Sequence, residues 1–188
     1  MLRFSHSLGD NAELRPANVA DAPALFACVD GARDALSPWL PWVKDMRSTV
    51  DAGAFMRDAQ LLHLELRALY ASIWVGDALV GLACLDPIDL ATQNAFLGWW
   101  LAPEARGRGI AGRAAAAMRD EAFARWRLDE VLAKMLPTNH ASAVLAERLG
   151  LVADPVFGQR EPAERIYRQS YADWSRAHIA PSQSPDAT

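Results

Sequence analysis

A β-rich hairpin in the middle of the chain constrains the fold more than any other feature of the sequence. Two segments rich in aliphatic and aromatic residues, Tyr70–Val75 and Ala78–Leu85, are separated only by the turn dipeptide Gly76-Asp77. Strands joined by so short a turn run antiparallel. Phe96–Leu101 is a third β-rich segment and extends the hairpin into a meander.

On either side of the meander, helical and strand-like patterns follow one another. Apolar residues at helical spacing predict helices, and short β-rich runs predict strands. Leu36–Val43 (LSPWLPWV) is predicted as a loop because its two prolines disfavour a regular element. The predicted helices are Ala20–Ala35, Thr49–Leu66, Ile110–Trp126 and Ala141–Leu149, and the other strands are Leu14–Pro16, Val131–Leu136, Val152–Phe157 and Arg165–Tyr171.

The resulting order is β-α-α-β-β-β-α-β-α-β-β. An antiparallel meander that leads into one β-α-β crossover predicts an α/β (α+β) fold with a mixed sheet and helices on its faces. A length of 188 residues with 52% hydrophobic residues suits one domain, which we place over residues 1–179. The small polar residues of 180–188 predict a disordered tail.

Composition narrows the possible binding partners of the protein and the cellular compartment in which it is expected. The net charge of −4 gives no basic field for a nucleic acid. No apolar stretch reaches membrane-spanning length and the start does not resemble a signal peptide, so a cytoplasmic protein without membrane contact is expected. Cys28 and Cys84 are predicted to be free thiols, and no metal site is expected.

The glycine–arginine loop, Arg106–Gly112 (RGRGIAG), carries the strongest functional signal. It lies between the strand Phe96–Leu101 and a long predicted helix. Glycines let a ligand approach the backbone, and the first amides of the helix point at that ligand with the positive end of the dipole behind them. Arg106, Arg108 and Arg113 add positive charge. The loop therefore predicts a phosphate-rich ligand, although Gly109 and Gly112 could also serve a tight turn alone.

Two nucleotide-binding patterns match this loop only in part. Gly107, Gly109 and Gly112 satisfy G-x-G-x-x-G, but the next strand ends without the acid that a dinucleotide site requires. Gly107 and Gly112 also have phosphate-loop spacing, but Arg113-Ala114 replace the required Lys and Ser/Thr. A nucleotide-dependent oxidoreductase or phosphotransferase is therefore disfavoured.

A third pattern fits better, because Arg106-x-x-Gly109-x-Ala111 resembles the [Q/R]-x-x-G-x-[G/A] motif of the GNAT superfamily of N-acetyltransferases. Residues 98–109 resemble the strand and loop of its RimJ/RimL-type branch, and Asn139-His140-Ala141-Ser142 is similar to the N-x-x-S of that branch. The resemblance implies acetyl-CoA as co-substrate. The implied cofactor-binding residues are Trp99, Trp100, Leu101, Arg106, Gly107, Arg108, Gly109, Ile110, Ala111, Gly112 and Asn139.

The resemblance also implies catalytic roles. Ser142 would protonate the departing thiolate, and Glu161, in a Q-x-E pattern, would act as the base. The alternatives are that Asn139 is only a helix cap, that Ser142 is an ordinary first-turn serine and that Glu161 is a solvated charge. His63 and His140 are fallback bases.

The acceptor is expected to be an amine, either a protein N-terminus or a small molecule. Trp39 and Trp42 would border its side of the cleft, unless they only fill the core. Members of this branch often form dimers, which leaves a homodimer open. The alternative function is a sensor or scaffold of the same fold that binds acetyl-CoA and catalyses little.

Overall fold

A computed structural model describes residues 5–155 and 164–178 of the chain. Within those ranges, eight strands and six α-helices follow one another. The strands are β1 His6–Gly9, β2 Ala12–Pro16, β3 Leu69–Val75, β4 Ala78–Asp89, β5 Asn94–Leu101, β6 Glu130–Met135, β7 Val152–Ala153 and β8 Arg165–Ser170. The helices are α1 Ala22–Gly31, α2 Arg33–Leu36, α3 Thr49–Leu64, α4 Ile110–Ala124, α5 His140–Arg148 and α6 Tyr171–His178.

All eight strands form one sheet in the order β1-β2-β3-β4-β5-β6-β8-β7. Neighbours pair antiparallel except β5 and β6, which run parallel because α4 connects them. The expected mixed sheet, a meander followed by one β-α-β crossover, is confirmed.

Successive side chains along a strand point to opposite faces of the sheet, so its apolar residues pack into two cores, one on each face. One core lies under α4 and includes Phe123 and Met118, both fully buried. The other lies under α1 and α3 and includes Leu25 and Met56, also fully buried. We call the two sides of the sheet the α4 face and the α1–α3 face.

Several predicted boundaries differ from the structure for local reasons. The predicted first helix is divided after Gly31, and a separate turn of helix, α2, follows. The predicted loop Leu36–Val43 is wrong in part, because α2 ends inside it and a 3₁₀ turn, Pro41–Lys44, begins at its second proline. The edge strand β1 and the helix α6 were not predicted. Beyond Pro155, the predicted strand Val152–Phe157 lies outside the described residues, as does segment 180–188.

Arg119 ties α4 to the two later helices. Its side chain is 5% exposed and donates to the carbonyl of Leu149, at the end of α5, over 2.6 Å. It also bonds Asp120, whose carboxylate accepts from the Trp174 indole of α6 over 2.7 Å. These bonds fix the position of α5, which carries one of the predicted catalytic residues. Among the described helices, none is both long and apolar enough to cross a membrane.

Candidate active site

The first turn of α4 presents main-chain donors that the helix itself does not use. Arg113 is the first residue of the helix whose amide bonds an earlier carbonyl, that of Gly109. The amides of Ile110, Ala111 and Gly112 precede it and have no intrahelical acceptor. No acidic residue lies in this turn and no side chain caps it. The arrangement suits an anion with several oxygens.

Gly109 is required by the backbone as well as by the space around it. Its φ is +69°, in the left-handed region that favours glycine, and a Cβ there would lie 3.2 Å from an Arg113 nitrogen. The glycine–arginine loop therefore turns sharply into α4 and leaves its amides uncovered.

Two of the three arginines near this loop brace it from its ends. The Arg106 guanidinium donates to the carbonyl of Leu101 over 3.1 and 3.2 Å. Arg113 donates to the carbonyl of Arg108 and pairs with Asp10, both at 3.1 Å. Arg108 is exposed on the loop between them. The prediction that all three supply charge to a ligand therefore needs refinement, since Arg106 and Arg113 also hold the loop in shape.

A gap opens between β5 and β6 beside this loop. The two strands pair at Asn94–Glu130, Ala95–Val131 and Phe96–Leu132, and the pairing ends there. Beyond it, β5 stays paired with β4 and β6 stays paired with β8. Residues 97–101 and 133–135 therefore diverge and leave a cleft that begins at Phe96 and widens toward the start of α4.

The cleft is lined on one side by the main chain of β5. The Ala102 amide bonds the carbonyl of Val80 on the β4 side, and amides alternate along a strand. Trp99 and Leu101 therefore direct their main-chain groups into the cleft. The Leu101 carbonyl already accepts a hydrogen bond from the Arg106 guanidinium. The Trp99 amide is a main-chain donor facing the cleft. The two tryptophans lie on opposite faces, since Trp99 packs on the α4 core and Trp100 on the α1–α3 core.

Asn139 and Ser142 lie on the other side of the cleft, where β6 leads into α5. The Asn139 side chain accepts from the Ser142 amide over 3.2 Å and so caps α5. Over the described ranges, no partner of the Ser142 hydroxyl is recorded, and the side chain is half-buried. The hydroxyl is thus available to a ligand in the cleft.

Leu36–Val43, which we call the tryptophan segment, lies over the end of β5 on the α1–α3 face. Trp42 stacks on Phe55 at 5.6 Å between ring centroids and lies 6.1 Å from Trp100. Trp39 is 38% exposed. Trp42 therefore holds the segment against the core, whereas Trp39 offers an indole surface to solvent.

Three residues, Glu161, His140 and His63, are the candidate bases. Glu161 lies outside the described residues. His140 is exposed and begins α5. His63 packs 6.1 Å from Trp126, which follows the C-terminal end of α4 and so lies far from the glycine–arginine loop. No group of three or more possible metal ligands occurs within residues 5–155 and 164–178.

Burial keeps both cysteines protonated. It raises the pKa of Cys28 to about 12, with a further contribution from Glu104. It also raises the pKa of Cys84 to about 12, with a further contribution from Asp86. Since the thiolate is the reactive form, neither cysteine is a nucleophile near neutral pH.

Comparison with known proteins agrees with this geometry. A family model described as "Acetyltransferase (GNAT) domain" matches residues 11–152. YdaF of Bacillus subtilis (strain 168), named as a candidate ribosomal N-acetyltransferase, is 22% identical over 152 residues, which cover 80% of this chain and 83% of YdaF.

Two solved structures share the fold. The ribosomal L7/L12 alpha-N-protein acetyltransferase RimL, in complex with coenzyme A, has a TM-score of 0.82 at 20% identity, covering 89% of this chain and 98% of RimL. The microcin C7 self-immunity acetyltransferase MccE, in complex with acetyl-CoA and AMP, has a TM-score of 0.80 at 20% identity, covering 87% and 94%.

Proposed function

The chain belongs to the GNAT acetyltransferase family and transfers acetyl from acetyl-CoA to an amine, and we propose that the amine is the α-amine of a protein N-terminus. The observation that carries acetyl transfer from acetyl-CoA is the cleft between β5 and β6, which opens directly beside the unpaired amides of α4. The choice of an α-amine rests instead on the names of similar proteins and on the chemistry of amines. We infer further that residues 1–179 form the single catalytic domain.

The cofactor would be held by the main chain. The amides of Ile110, Ala111 and Gly112 suit a pyrophosphate, with Arg108 exposed beside them. The β5 segment that contains Trp99, Trp100 and Leu101 would form the cleft wall along which the pantetheine arm runs, and Asn139 would contact the arm from the start of α5. Acetyl-CoA supplies an activated carbonyl and a thiolate leaving group when bound.

The chain's own groups would then move one proton from nitrogen to sulfur. The Trp99 amide would stabilise the negative charge that develops on the carbonyl oxygen. As the C–N bond forms and the C–S bond breaks, Ser142 would donate a proton to the sulfur. Glu161 would accept the proton that the amine loses, directly or through water, and the serine would regain its proton from that source. The net products are an amide and free coenzyme A.

The names of similar proteins and the chemistry of amines both favour an N-terminal acceptor. YdaF and RimL are named for ribosomal acetyl transfer, RimL specifically as an alpha-N-protein acetyltransferase. An α-amine with a pKa of about 8 is neutral in roughly a tenth of molecules near pH 7, whereas a lysine amine with a pKa of about 10.4 is neutral in fewer than one in a thousand. A carboxylate base therefore works more readily on the α-amine.

A matched pair of peptides tests the acceptor. One peptide has a free α-amine and no lysine, and the other has the same sequence with an acetylated N-terminus and one internal lysine. We expect at least tenfold faster release of coenzyme A thiol with the first peptide. The protein's own thiols, with pKa values of about 12, should add little to this signal. Rapid acetylation of the lysine with no activity on the α-amine would contradict the proposal.

Trp39 is proposed to contact the acceptor, because its indole is exposed on the segment that Trp42 packs against Trp100 of β5. We expect Trp39→Ala to raise the acceptor KM by roughly five- to tenfold, since an interfacial tryptophan contributes on the order of 1–2 kcal/mol. Acetyl-CoA affinity, measured by calorimetry, should not change. Leu90→Ala, which removes a similarly exposed apolar side chain from the β4–β5 turn, is the control. An unchanged acceptor KM in a folded Trp39→Ala protein would show that Trp39 does not contact the acceptor. The assignment of Trp42 to the acceptor stays a prediction.

A further inference from the structure

A pocket of about 270 Å³ lies where β5 and β6 begin to diverge. Its lining residues come from three strands and are Asp86, Pro87, Phe96, Leu97, Gly98 and Lys134. Phe96 is the last residue of β5 that pairs with β6, so the pocket lies at the closed end of the cleft. No prediction from the sequence included Asp86 or this pocket.

A bulge in β4 forms one wall of this pocket. The pairing of β4 with β5 shifts between Leu85–Leu97 and Ile88–Ala95, which places one extra residue in β4. Such a bulge redirects the side chains at its centre. Here it presents a carboxylate, Asp86, to a pocket whose other strand-derived residues are mainly apolar or glycine.

The Asp86 carboxylate is oriented by Tyr70. The Tyr70 hydroxyl donates to Asp86 Oδ2, and in the described part of the chain no other donor to this carboxylate is recorded. The Tyr70 ring is fixed edge-on against Phe55, with centroids 5.4 Å apart. Burial, with the neighbouring Cys84 and Asp86, raises the pKa of Tyr70 above its usual range, so the hydroxyl remains a donor. Oδ1 is left for a ligand.

This carboxylate also lies on the side from which an acceptor must come. Tyr70 and Phe55 pack on the α1–α3 core, so the pair belongs to that face of the sheet. The unpaired amides of α4 lie on the opposite face. A donor that enters from the α4 face leaves the α1–α3 face open for the second substrate.

We propose that Asp86, held by Tyr70, binds the acceptor as its ammonium form at the closed end of the cleft. This inference rests on the proposed transfer to an α-amine. One proton of the ammonium would pass to solvent water, and the carboxylate would hold the two remaining N–H groups so that the lone pair can face the carbonyl carbon. The second proton would leave as the C–N bond forms and pass to Glu161. Glu161 keeps its proposed role as base, and Asp86 determines where the amine lies.

The other charged groups around the pocket fit this role. Lys134, on the wall formed by β6, is neutralised by Glu164 over 3.1 Å. Cys84 stays a neutral thiol because burial raises its pKa to about 12. Among the described residues that line the pocket, Asp86 is therefore the one charged group without a salt bridge, which favours a cation.

Asp86→Asn tests the inference, because asparagine keeps an oxygen that can accept from Tyr70 and loses only the charge. We expect the acceptor KM for a peptide with a free α-amine to rise at least tenfold. The kcat should fall less than threefold, and acetyl-CoA affinity should stay within twofold of the parent. Asp89→Asn removes the same charge three residues away, from an exposed carboxylate at the end of β4 that accepts from the turn, and should leave all three values unchanged.

A second substrate and a second variant separate binding of the cation from a structural role. Hydroxylamine, which is uncharged near neutral pH, should react equally well with the parent and with Asp86→Asn. Tyr70→Phe, which keeps the ring against Phe55, should raise the peptide KM by a smaller factor than Asp86→Asn. Equal loss with both nucleophiles, or an unchanged peptide KM in a folded Asp86→Asn protein, overturns the inference. A parent that acetylates no α-amine overturns the proposed acceptor instead.

Discussion

Gly109→Glu is expected to weaken acetyl-CoA binding at least a hundredfold while the protein stays folded. The substitution places a carboxylate beside three amides that we propose bind a pyrophosphate. Hydrogen bonds to a charged group contribute about 1.5–3 kcal/mol each, so the loss of two gives about 3–6 kcal/mol and a factor of at least a hundred in Kd. Titration calorimetry with acetyl-CoA measures the effect directly.

Gly109→Gln is the matched control, because glutamine has nearly the same size and shape without the charge. Both variants carry the strain of a side chain at a φ of +69°, on the order of 1–2 kcal/mol, and both crowd Arg113. The difference between their Kd values therefore reports the charge alone, and thermal unfolding reports the strain. If the folded Glu variant binds acetyl-CoA as tightly as the parent, the pyrophosphate does not lie at this helix.

Ser142→Ala is expected to lower kcat by about a hundredfold, the usual scale for a general acid. The cap of α5 should survive, since Asn139 accepts from the main-chain amide of residue 142, which alanine retains. Stability and acetyl-CoA affinity should therefore change little. Steady-state kinetics with a saturating peptide acceptor measures kcat.

Ser142→Thr keeps a hydroxyl at the same position and should recover most of the lost kcat. A Ser142→Ala protein with full kcat would show that the serine does not donate the proton to the sulfur.

Glu161→Gln, at the proposed base, is likewise expected to lower kcat by about a hundredfold. A Glu161→Gln protein with full kcat and an unchanged pH profile would show that this glutamate is not the base.

The order of strands and helices was predictable because local signals and long-range structure agree. The hairpin has the turn dipeptide Gly76-Asp77 and the helix after Gly109 has apolar residues at helical spacing, and both formed where expected. The strand β1 was missed because its four residues alternate only weakly, with Leu8 alone buried. The helix α6 was missed because its docking depends on one indole, Trp174, which bonds a residue more than fifty positions away.

The candidate site was predictable where its residues adjoin in sequence. The glycine–arginine loop and the Asn139–Ser142 turn are local motifs, so their spacing alone indicated a function. The pairing of Tyr70 with Asp86 joins two strands across a hairpin and depends on a bulge, which has no reliable signature in one sequence. The bracing role of Arg106 was hidden for a similar reason, since a loop arginine near a predicted phosphate site looks like a ligand-binding group.

The divergence of β5 from β6 also divides the sheet into two parts, which we call leaves. β1–β5 form one leaf and β6–β8 the other, and in the described ladder three residue pairs join their main chains. A coenzyme arm lying in the cleft would join the leaves beyond Phe96, where their main chains do not pair although the core under α4 contains residues of both. A ligand present at a hundred times its Kd adds about 2.7 kcal/mol to the free energy of unfolding. Hydrogen exchange at the Trp99 amide should then slow sharply with acetyl-CoA bound. Depletion of acetyl-CoA would therefore do more than halt turnover, because the enzyme would also lose this added resistance to local opening of the sheet.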